Sequence, residues 1–105
     1  IGVRRRDGVH LVPLTEVLYF SADQKYTTLR HSGGSELIED SLRALEEEFG
    51  SRFVRVHRNA LVQRHCIAGL ERDDAGQYHV VLRGAPERLA VSRRLVGELR
   101  EQLRI

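Results

Sequence analysis

The stretch from Phe53 to Cys66, FVRVHRNALVQRHC, places side chains that can do chemistry among short apolar residues. Its two histidines, His57 and His65, could act as bases, and the Cys66 thiol could act as a nucleophile or bind a metal. Its arginines could instead bind phosphate groups or the edges of bases. The stretch is therefore compatible with a catalytic cluster, a metal site, a nucleic-acid surface or an ordinary strand with a charged outer face.

Catalysis needs a base within hydrogen-bond reach of the thiol. His65 and Cys66 are sequence neighbours, and neighbours on a strand point to opposite faces, which disfavours a dyad between them. His57 could approach Cys66 in space, but no paired carboxylates or glycine-rich phosphate loop accompany them. A zinc site needs three or four ligands, commonly in short-spaced pairs, and one cysteine with scattered histidines does not supply them. The sequence therefore predicts a protein that is not an enzyme and that binds no metal or cofactor. An enzyme that uses His57 and Cys66 is the third of three alternative functions.

The basic residues favour an anionic partner. Sixteen of the seventeen are arginine, whose planar fork suits phosphate and guanine. Residues 1–50 carry six basic and nine acidic side chains, whereas residues 51–105 carry eleven basic and six acidic ones, so the halves are −3 and +5. No acidic residue lies between Ser51 and Leu70, a stretch that holds arginines 52, 55, 58 and 64. On charge alone, a solvated charged face remains an alternative.

Two further groups of polar residues extend this argument. Arg93 and Arg94 open the last predicted helix, where backbone N–H groups also favour an anion. Lys25 follows Asp23 and Gln24 in a predicted loop. Together with the central arginines, these residues could line one face and bind a phosphate backbone.

The elements that would position these residues are mostly short strands. Asp7-Gly8 predicts a hairpin turn. Strands are predicted, from period-two patterns and β-branched residues, over 17–22, 25–30, 35–38, 53–57, 77–83 and 87–91. In the first of these, strict alternation places Val17 and Tyr19 opposite Leu18 and Phe20.

Two segments change to a helical period. Residues 41–50 predict a helix that Asp40 or Ser41 can cap and Gly50 can close. Residues 92–105 predict a closing helix with Ser92 as N-cap and an apolar stripe. No run of apolar residues approaches the ~18 needed to span a membrane, and a lone cysteine suits a reducing compartment, so we expect a cytoplasmic protein.

Four segments, in this order and spacing, resemble the LytTR family of DNA-binding domains: VLYFSADQKYTTLR, LRALEEEFG, FVRVHRNALVQR and LAVSRR. The family's F-x-R-x-H-R-[SN]-x-L-V core is quite specific, and the resemblance runs from about Val9 to Leu103. It implies a mostly β fold, an elongated antiparallel β domain of short strands with one inserted helix and a C-terminal helix. Such domains read DNA with loops and turns that enter successive major grooves, commonly with bending of the duplex.

Carried over by position, the resemblance implies three DNA-facing segments: the Asp23-Gln24-Lys25 loop, the Arg58-Asn59 turn and the Arg93-Arg94 helix start. Arg58 and Arg94 are the best candidates for guanine edges, because each can donate two parallel hydrogen bonds. Asn59 could pair with adenine or cap its own turn. Lys25 and Arg93 are expected on phosphates.

Two neighbours of the turn are expected to be structural. His57 would hold the turn in place, and Arg55 would pair with an acid such as Glu48 or Glu71. The family more often has serine at the position of Asn59, so the base preference of a relative does not transfer to this chain.

We therefore interpret residues 1–105 as a single DNA-binding domain, the output domain of a two-component response regulator that controls transcription. The chain contains no methionine, and we expect it to be a fragment whose receiver domain lies N-terminal in cis. Double-stranded DNA with repeated half-sites is the expected partner, with a possible homodimer on DNA and no membrane. The alternative from another class is a basic protein-interaction module.

Overall fold

The computed structural model describes residues 1–104 and is mostly β. The strands are β1 (Gly2–Arg5), β2 (Gly8–Leu11), β3 (Val17–Ala22), β4 (Thr27–His31), β5 (Gly34–Ile38), β6 (Phe53–His57), β7 (Ala60–Gln63), β8 (Ile67–Arg72), β9 (Tyr78–Leu82) and β10 (Arg88–Ala90). The α-helices are α1 (Leu42–Phe49) and α2 (Val96–Leu103). The molecule measures 44 × 26 × 25 Å, so the predicted elongated β domain with an inserted and a C-terminal helix is confirmed. Neither helix has the length and apolar character needed to cross a membrane.

All strand pairs in the three sheets are antiparallel. The largest sheet has five strands in the order β5-β4-β3-β7-β6. A second sheet has the order β10-β9-β8, and β1 and β2 form a separate hairpin. The central strands β3 and β7 come from two different hairpins, so their pairing joins the two halves of the large sheet.

Apolar side chains cover both faces of the five-stranded sheet. One face packs against α1 and the β1–β2 hairpin, through residues that include Val3, Phe20, Leu29, Leu45, Phe53 and Leu61. The other face packs against the three-stranded sheet and α2, through residues that include Val56, Val62, Val80, Val91 and Leu99. Because both faces are buried, the polar residues available for binding lie at the ends and edges of the strands.

Strand β3 departs from the predicted alternation. Its register shifts between Val17 and Tyr19, and Val17 packs in the same core as Phe20 while Leu18 and Tyr19 pack in the other. The prediction that Val17 and Tyr19 oppose Leu18 and Phe20 was therefore wrong. A bulge inserts one unpaired residue, which reverses the faces of the residues on either side of it.

The helix boundaries were predicted with mixed success. Ser41 caps α1 as expected, since its Oγ accepts a hydrogen bond from the Ala44 N–H at 3.1 Å. Gly50 closes that helix with a φ of 57°. Ser92 precedes a 3₁₀ turn over Arg93–Leu95 and makes no side-chain capping hydrogen bond. The prediction that it caps the closing α-helix is therefore wrong, since α2 begins only at Val96. The last residue of the predicted helix lies outside the described residues.

An ion-pair cluster ties the N-terminal hairpin to the large sheet. Arg5 on β1 donates from Nη2 and Nε to the Glu36 carboxylate at 2.6 and 3.2 Å. His31 contacts the same carboxylate through Nε2 at 2.9 Å, while its Nδ1 accepts from the Gly33 N–H at 3.1 Å. Hydrogen bonds from Arg5 first and His31 second lower the pKa of Glu36 below its ordinary value.

This cluster predicts an acid-sensitive contribution to stability. A carboxylate with a lowered folded pKa stabilises the fold above its unfolded pKa, and that stabilisation is lost as pH falls through the folded pKa. We expect Glu36→Gln to lower the free energy of unfolding at neutral pH and to converge with the parent as pH falls through the lowered folded pKa of Glu36. Urea titrations between about pH 7 and pH 2 would measure this. Glu39→Gln, at an exposed position, is the matched control, and an unchanged acid limb in Glu36→Gln would contradict the assignment.

Candidate nucleic-acid interface

Two of the sequence-predicted segments lie side by side at one end of the five-stranded sheet. The loop of residues 23–26 joins β3 to β4, and the Arg58–Asn59 turn joins β6 to β7. Strands β3 and β7 are paired with Ser21 opposite Ala60, and the Ala22 N–H donates to the Asn59 carbonyl at 2.9 Å. The pairing register therefore brings the two hairpin tips together.

The third segment, Arg93–Arg94, lies next to these two hairpin tips, and the three segments together form a row. The Ser92 N–H donates to the Val56 carbonyl at 2.8 Å, next to the end of β6. Arg93 and Arg94 follow directly, both exposed, in a 3₁₀ turn rather than in the first turn of an α-helix. Neighbouring strands lie ~4.8 Å apart, so the row from β4 across to Ser92 spans roughly 20 Å. The structure thus places all three segments along one end of the domain.

Asp23 holds its loop in a turn by binding backbone groups of the residues that follow it. The Asp23 carboxylate accepts from the N–H groups of Lys25 and Tyr26 at 2.8 and 2.9 Å, and its own N–H donates to the Tyr26 carbonyl at 3.0 Å. The hydrogen bonds from Tyr26 and then Lys25 lower the pKa of Asp23. Within residues 1–104, the side chains of Gln24 and Lys25 make neither hydrogen bonds nor ion pairs, and both are exposed.

Arg55 holds the Arg58–Asn59 turn from behind. Its Nη1 donates to the Arg58 carbonyl at 2.8 Å, and its Nη2 donates to Glu46 Oε1 at 3.0 Å. The expectation that Arg55 is structural is confirmed, but its expected partners, Glu48 or Glu71, were wrong. Glu46 is half-buried on the side of α1 that faces β6, whereas the other two are exposed and Glu71 lies on β8.

His57 also contributes to the turn, as expected. Its Nδ1 lies 3.4 Å from the Asn59 N–H, which is a long hydrogen bond. The side chains of Arg58 and Asn59 themselves are exposed. The backbone of the turn is therefore fixed by Arg55 and His57, while the two side chains at its tip remain accessible.

The loop and the turn share an open cavity of about 410 Å³. The start of α1 also lines this cavity. Its charged lining consists of four basic and three acidic side chains: Lys25, Arg43, Arg55, Arg58, Asp23, Glu39 and Asp40. Arg93 and Arg94 lie outside this cavity, on the other side of the turn. The predicted basic surface is thus divided into a cavity shared by two segments and a neighbouring arginine pair.

Sequence reasoning missed Tyr26 as a candidate. The predicted strand over 25–30 includes it, but β4 begins at Thr27. Tyr26 lies in the loop, where it is 50% exposed and lines the cavity. The aspartate three residues earlier was the available signal, because a carboxylate that binds the next two or three N–H groups holds the chain in a turn. Tyr26 therefore belongs with Lys25 among the exposed residues of this loop.

The residues that suggested catalysis are separated. Cys66 lies in the 3₁₀ turn after β7, half-buried with its Sγ 4.0 Å from the Val17 carbonyl. His57 lies at the opposite end of the β6–β7 hairpin, opposite Ala60. Burial raises the pKa of the Cys66 thiol, which opposes formation of a nucleophilic thiolate. The arrangement does not support a His57–Cys66 dyad.

Comparisons with known proteins find a family model and a relative that match nearly the whole chain. The model of the LytTr DNA-binding domain matches residues 7–104. The positive alginate biosynthesis regulatory protein of Pseudomonas aeruginosa is 50% identical over 101 residues, which cover 95% of this chain and 41% of that relative. This chain thus spans about two fifths of the relative's length.

A solved structure matches the whole fold. It is the LytTr DNA-binding domain of a protein described as a methyl-accepting/DNA response regulator from Bacillus cereus, with a TM-score of 0.87. The match covers 100% of this chain and 96% of that one at 24% identity, so it establishes the fold alone. The family model covers nearly the whole chain, and the family comprises DNA-binding domains of transcription regulators rather than enzymes. The chain belongs to the LytTR family of DNA-binding domains.

Proposed function

We propose that the chain binds double-stranded DNA sequence-specifically, as the output domain of a two-component response regulator that controls transcription. The observation that carries this proposal is the single row of three exposed segments at one end of the sheet. The row contains the Asp23–Lys25 loop, the Arg58–Asn59 turn and the Arg93–Arg94 pair. Exposed cations in such a row match the spaced negative charge of a duplex.

In this proposal the domain contacts DNA through loops and turns and not through a recognition helix. Both α-helices pack against sheets with their apolar sides, so neither is presented as a free recognition helix. The row is roughly 20 Å long, whereas the major groove of B-form DNA is about 12 Å wide. Successive major grooves of a straight duplex lie about 34 Å apart, so segments at the two ends reach into both only with extended side chains and with bending of the duplex toward the protein.

The side chains at the row divide into two roles. Arg58 and Arg94 read guanine edges through paired N–H donors, and Asn59 reads adenine through its amide. Lys25 and Arg93 bind phosphates and fix the position of the domain on the duplex. This division is supported by the hydrogen bonds that Arg55 and His57 make to the backbone of the Arg58–Asn59 turn. Base readout needs a side chain with a fixed direction, whereas phosphate binding tolerates a flexible one.

The remaining loop residues support Lys25. Asp23 uses its carboxylate to shape the loop, so its part in recognition is indirect. Gln24 is exposed beside Lys25, and its amide can donate to a phosphate or pair with an adenine.

The proposed assembly is larger than this chain. The relative from Pseudomonas aeruginosa is more than twice as long, which is consistent with a receiver domain N-terminal to this DNA-binding domain. A single small domain with three contact segments gains affinity when two copies bind repeated half-sites, so we propose a homodimer on DNA. Binding to bacterial chromosomal DNA would place this function in the cytoplasm.

Base reading by Arg58 and Arg94 predicts a selective loss of affinity. Arg58→Ala and Arg94→Ala should each cost about 1–3 kcal/mol on preferred genomic fragments and little on random DNA, measured by fluorescence anisotropy across a salt series. Arg100→Ala removes the same charge from the exposed side of α2 and is the matched control. Equal losses on both kinds of DNA would reduce the function to phosphate binding. No retention of DNA even at low salt would favour the protein-interaction module instead.

Support of the turn by Arg55 predicts an indirect loss. Arg55→Ala removes the donor to the Arg58 carbonyl, so Arg58 should lose its fixed direction and binding to the preferred site should weaken about tenfold, which is roughly 1.4 kcal/mol. Glu46→Gln keeps an acceptor for Arg55 and should weaken binding less. Thermal unfolding of each variant would separate this effect from loss of the fold. An Arg55→Ala protein that binds as tightly as the parent would contradict the role.

A further inference from the structure

Glu87, which lies between β9 and β10, bridges the two larger sheets. Its Oε2 accepts from the Tyr19 hydroxyl at 2.8 Å and from Arg30 Nε at 2.7 Å. Tyr19 on β3 and Arg30 on β4 are register partners, so one carboxylate contacts two neighbouring strands. Arg30 is itself held, because its Nη1 donates to the carbonyls of His31 and Gly34.

The bridge keeps one charge state over a wide pH range. The hydrogen bond from Arg30 lowers the pKa of Glu87 to about 2. Burial, and then the hydrogen bond to Glu87, raises the pKa of Tyr19 to about 12. Between these limits Glu87 is an anion and Tyr19 a neutral donor, so the contact is a permanent structural link and not a pH switch.

The hydrogen bonds of Glu87 constrain the relative orientation of the two sheets, which the apolar core alone does not. The core between the two sheets consists of residues such as Val62, Val80 and Leu99, and burial of apolar surface is non-directional. Hydrogen bonds depend steeply on distance and angle. Across residues 1–104, side chains of β3 and β4 form hydrogen bonds to the β9–β10 hairpin only through Glu87.

A close backbone approach reinforces the same junction. Gly84, in the loop between β9 and β10, has a φ of 93°. A Cβ at this position would lie 3.3 Å from Leu18 Cδ2 on β3. The loop therefore lies tightly on the strand that carries Tyr19, and Glu87 is held within reach of its two donors.

Glu87 also attaches the start of the segment that leads to the arginine pair. The chain runs from Glu87 through β10 to Ser92, whose N–H donates to the Val56 carbonyl of β6. An extended segment over residues 87–92 measures roughly 17 Å. Because β10 is paired with β9 between these two attachments, they fix the direction of the three-stranded sheet relative to the five-stranded sheet, whereas attachment at Ser92 alone would leave that direction to the non-directional apolar core. Arg93 and Arg94 follow directly from the fixed segment.

We propose that Glu87 is a positioning residue for DNA recognition, which locks the sheet that carries Arg93 and Arg94 to the sheet that carries Lys25 and Arg58. This link sets the distance and the angle between the Lys25 end and the Arg94 end of the row. This inference rests on the proposed function, because it concerns the geometry with which the row meets DNA.

A double-mutant cycle on the complete protein tests the role. Glu87→Ala should weaken binding to the preferred site about fivefold, since the two ends of the row no longer match the duplex together. In an Arg94→Ala background the same change should have less than about a twofold effect, because the contact that Glu87 positions is already lost. In a Lys25→Ala background its effect should stay near fivefold, since Arg58 and Arg94 still need alignment. Glu87→Gln keeps an acceptor for both donors and should fall between the parent and Glu87→Ala.

The control variant removes an ion pair that does not cross between the sheets. Glu71→Ala breaks the Glu71–Arg88 contact of 3.1 Å within the three-stranded sheet and should leave DNA affinity unchanged. Amide hydrogen exchange would show whether Glu87→Ala keeps its core. If it does not, Tyr19→Phe removes one of the two hydrogen bonds and takes its place in the cycle.

The outcomes separate the two proposals. If Arg58→Ala and Arg94→Ala weaken specific binding but the losses of Glu87→Ala and Arg94→Ala simply multiply, the positioning role is overturned and the proposed function stands. Unchanged affinity in Glu87→Ala has the same meaning. If neither arginine variant loses affinity for the preferred site, the proposed function itself is overturned, and the positioning role with it.

Discussion

The pairing of β3 with β7 is the constraint on which the rest of the site depends. It places Phe20 opposite Leu61 and Ser21 opposite Ala60, and it joins two strands that are more than thirty residues apart in sequence. A slip of one residue would move every side chain of one hairpin to the opposite face. Since both faces are buried, the register is strongly specified by packing. The alignment of the two hairpin tips follows directly from that register.

Burial on both faces explains why the candidate interface lies at strand ends. The interior of the five-stranded sheet has no room for unpaired cations, so Lys25, Arg58 and the Arg93–Arg94 pair occupy loops and turns, where water solvates them. Gathering basic side chains at one end also creates mutual repulsion, which weakens the folded state when no anion is bound. The structure offsets this with directional contacts behind the surface. Arg55 fixes a single turn, and Glu87 links two whole sheets.

The bulge in β3 shows how a small irregularity serves this arrangement. With strict alternation, Val17 and Phe20 would lie on opposite faces, but the inserted residue brings them into one core. Leu18 and Tyr19 then pack together on the other side. This orientation lets the Tyr19 hydroxyl meet Glu87, so the register irregularity and the link between the sheets are parts of one local structure.

The sequence alone determined the elements whose causes are local. Ser41 and Gly50 bounded α1 because caps act within one turn of the helix, and period-two patterns located most strands. The motif around Arg58 and Asn59 identified both the turn and the family. The order of the segments also identified the Lys25 loop and the Arg93–Arg94 pair as candidates, although their contacts with DNA remain predictions.

Only the tertiary structure decided the partners. It selected Glu46 over Glu48 for Arg55, moved Tyr26 from a strand into a loop, and placed the start of α2 after Arg94. It also brought Glu87 to Tyr19 and Arg30, which are 68 and 57 residues away in sequence. A periodic pattern specifies which face of an element is buried, but not which distant element covers it. The side-chain contacts that hold the candidate interface in place depend on that second choice, which is made only when the sheets pack.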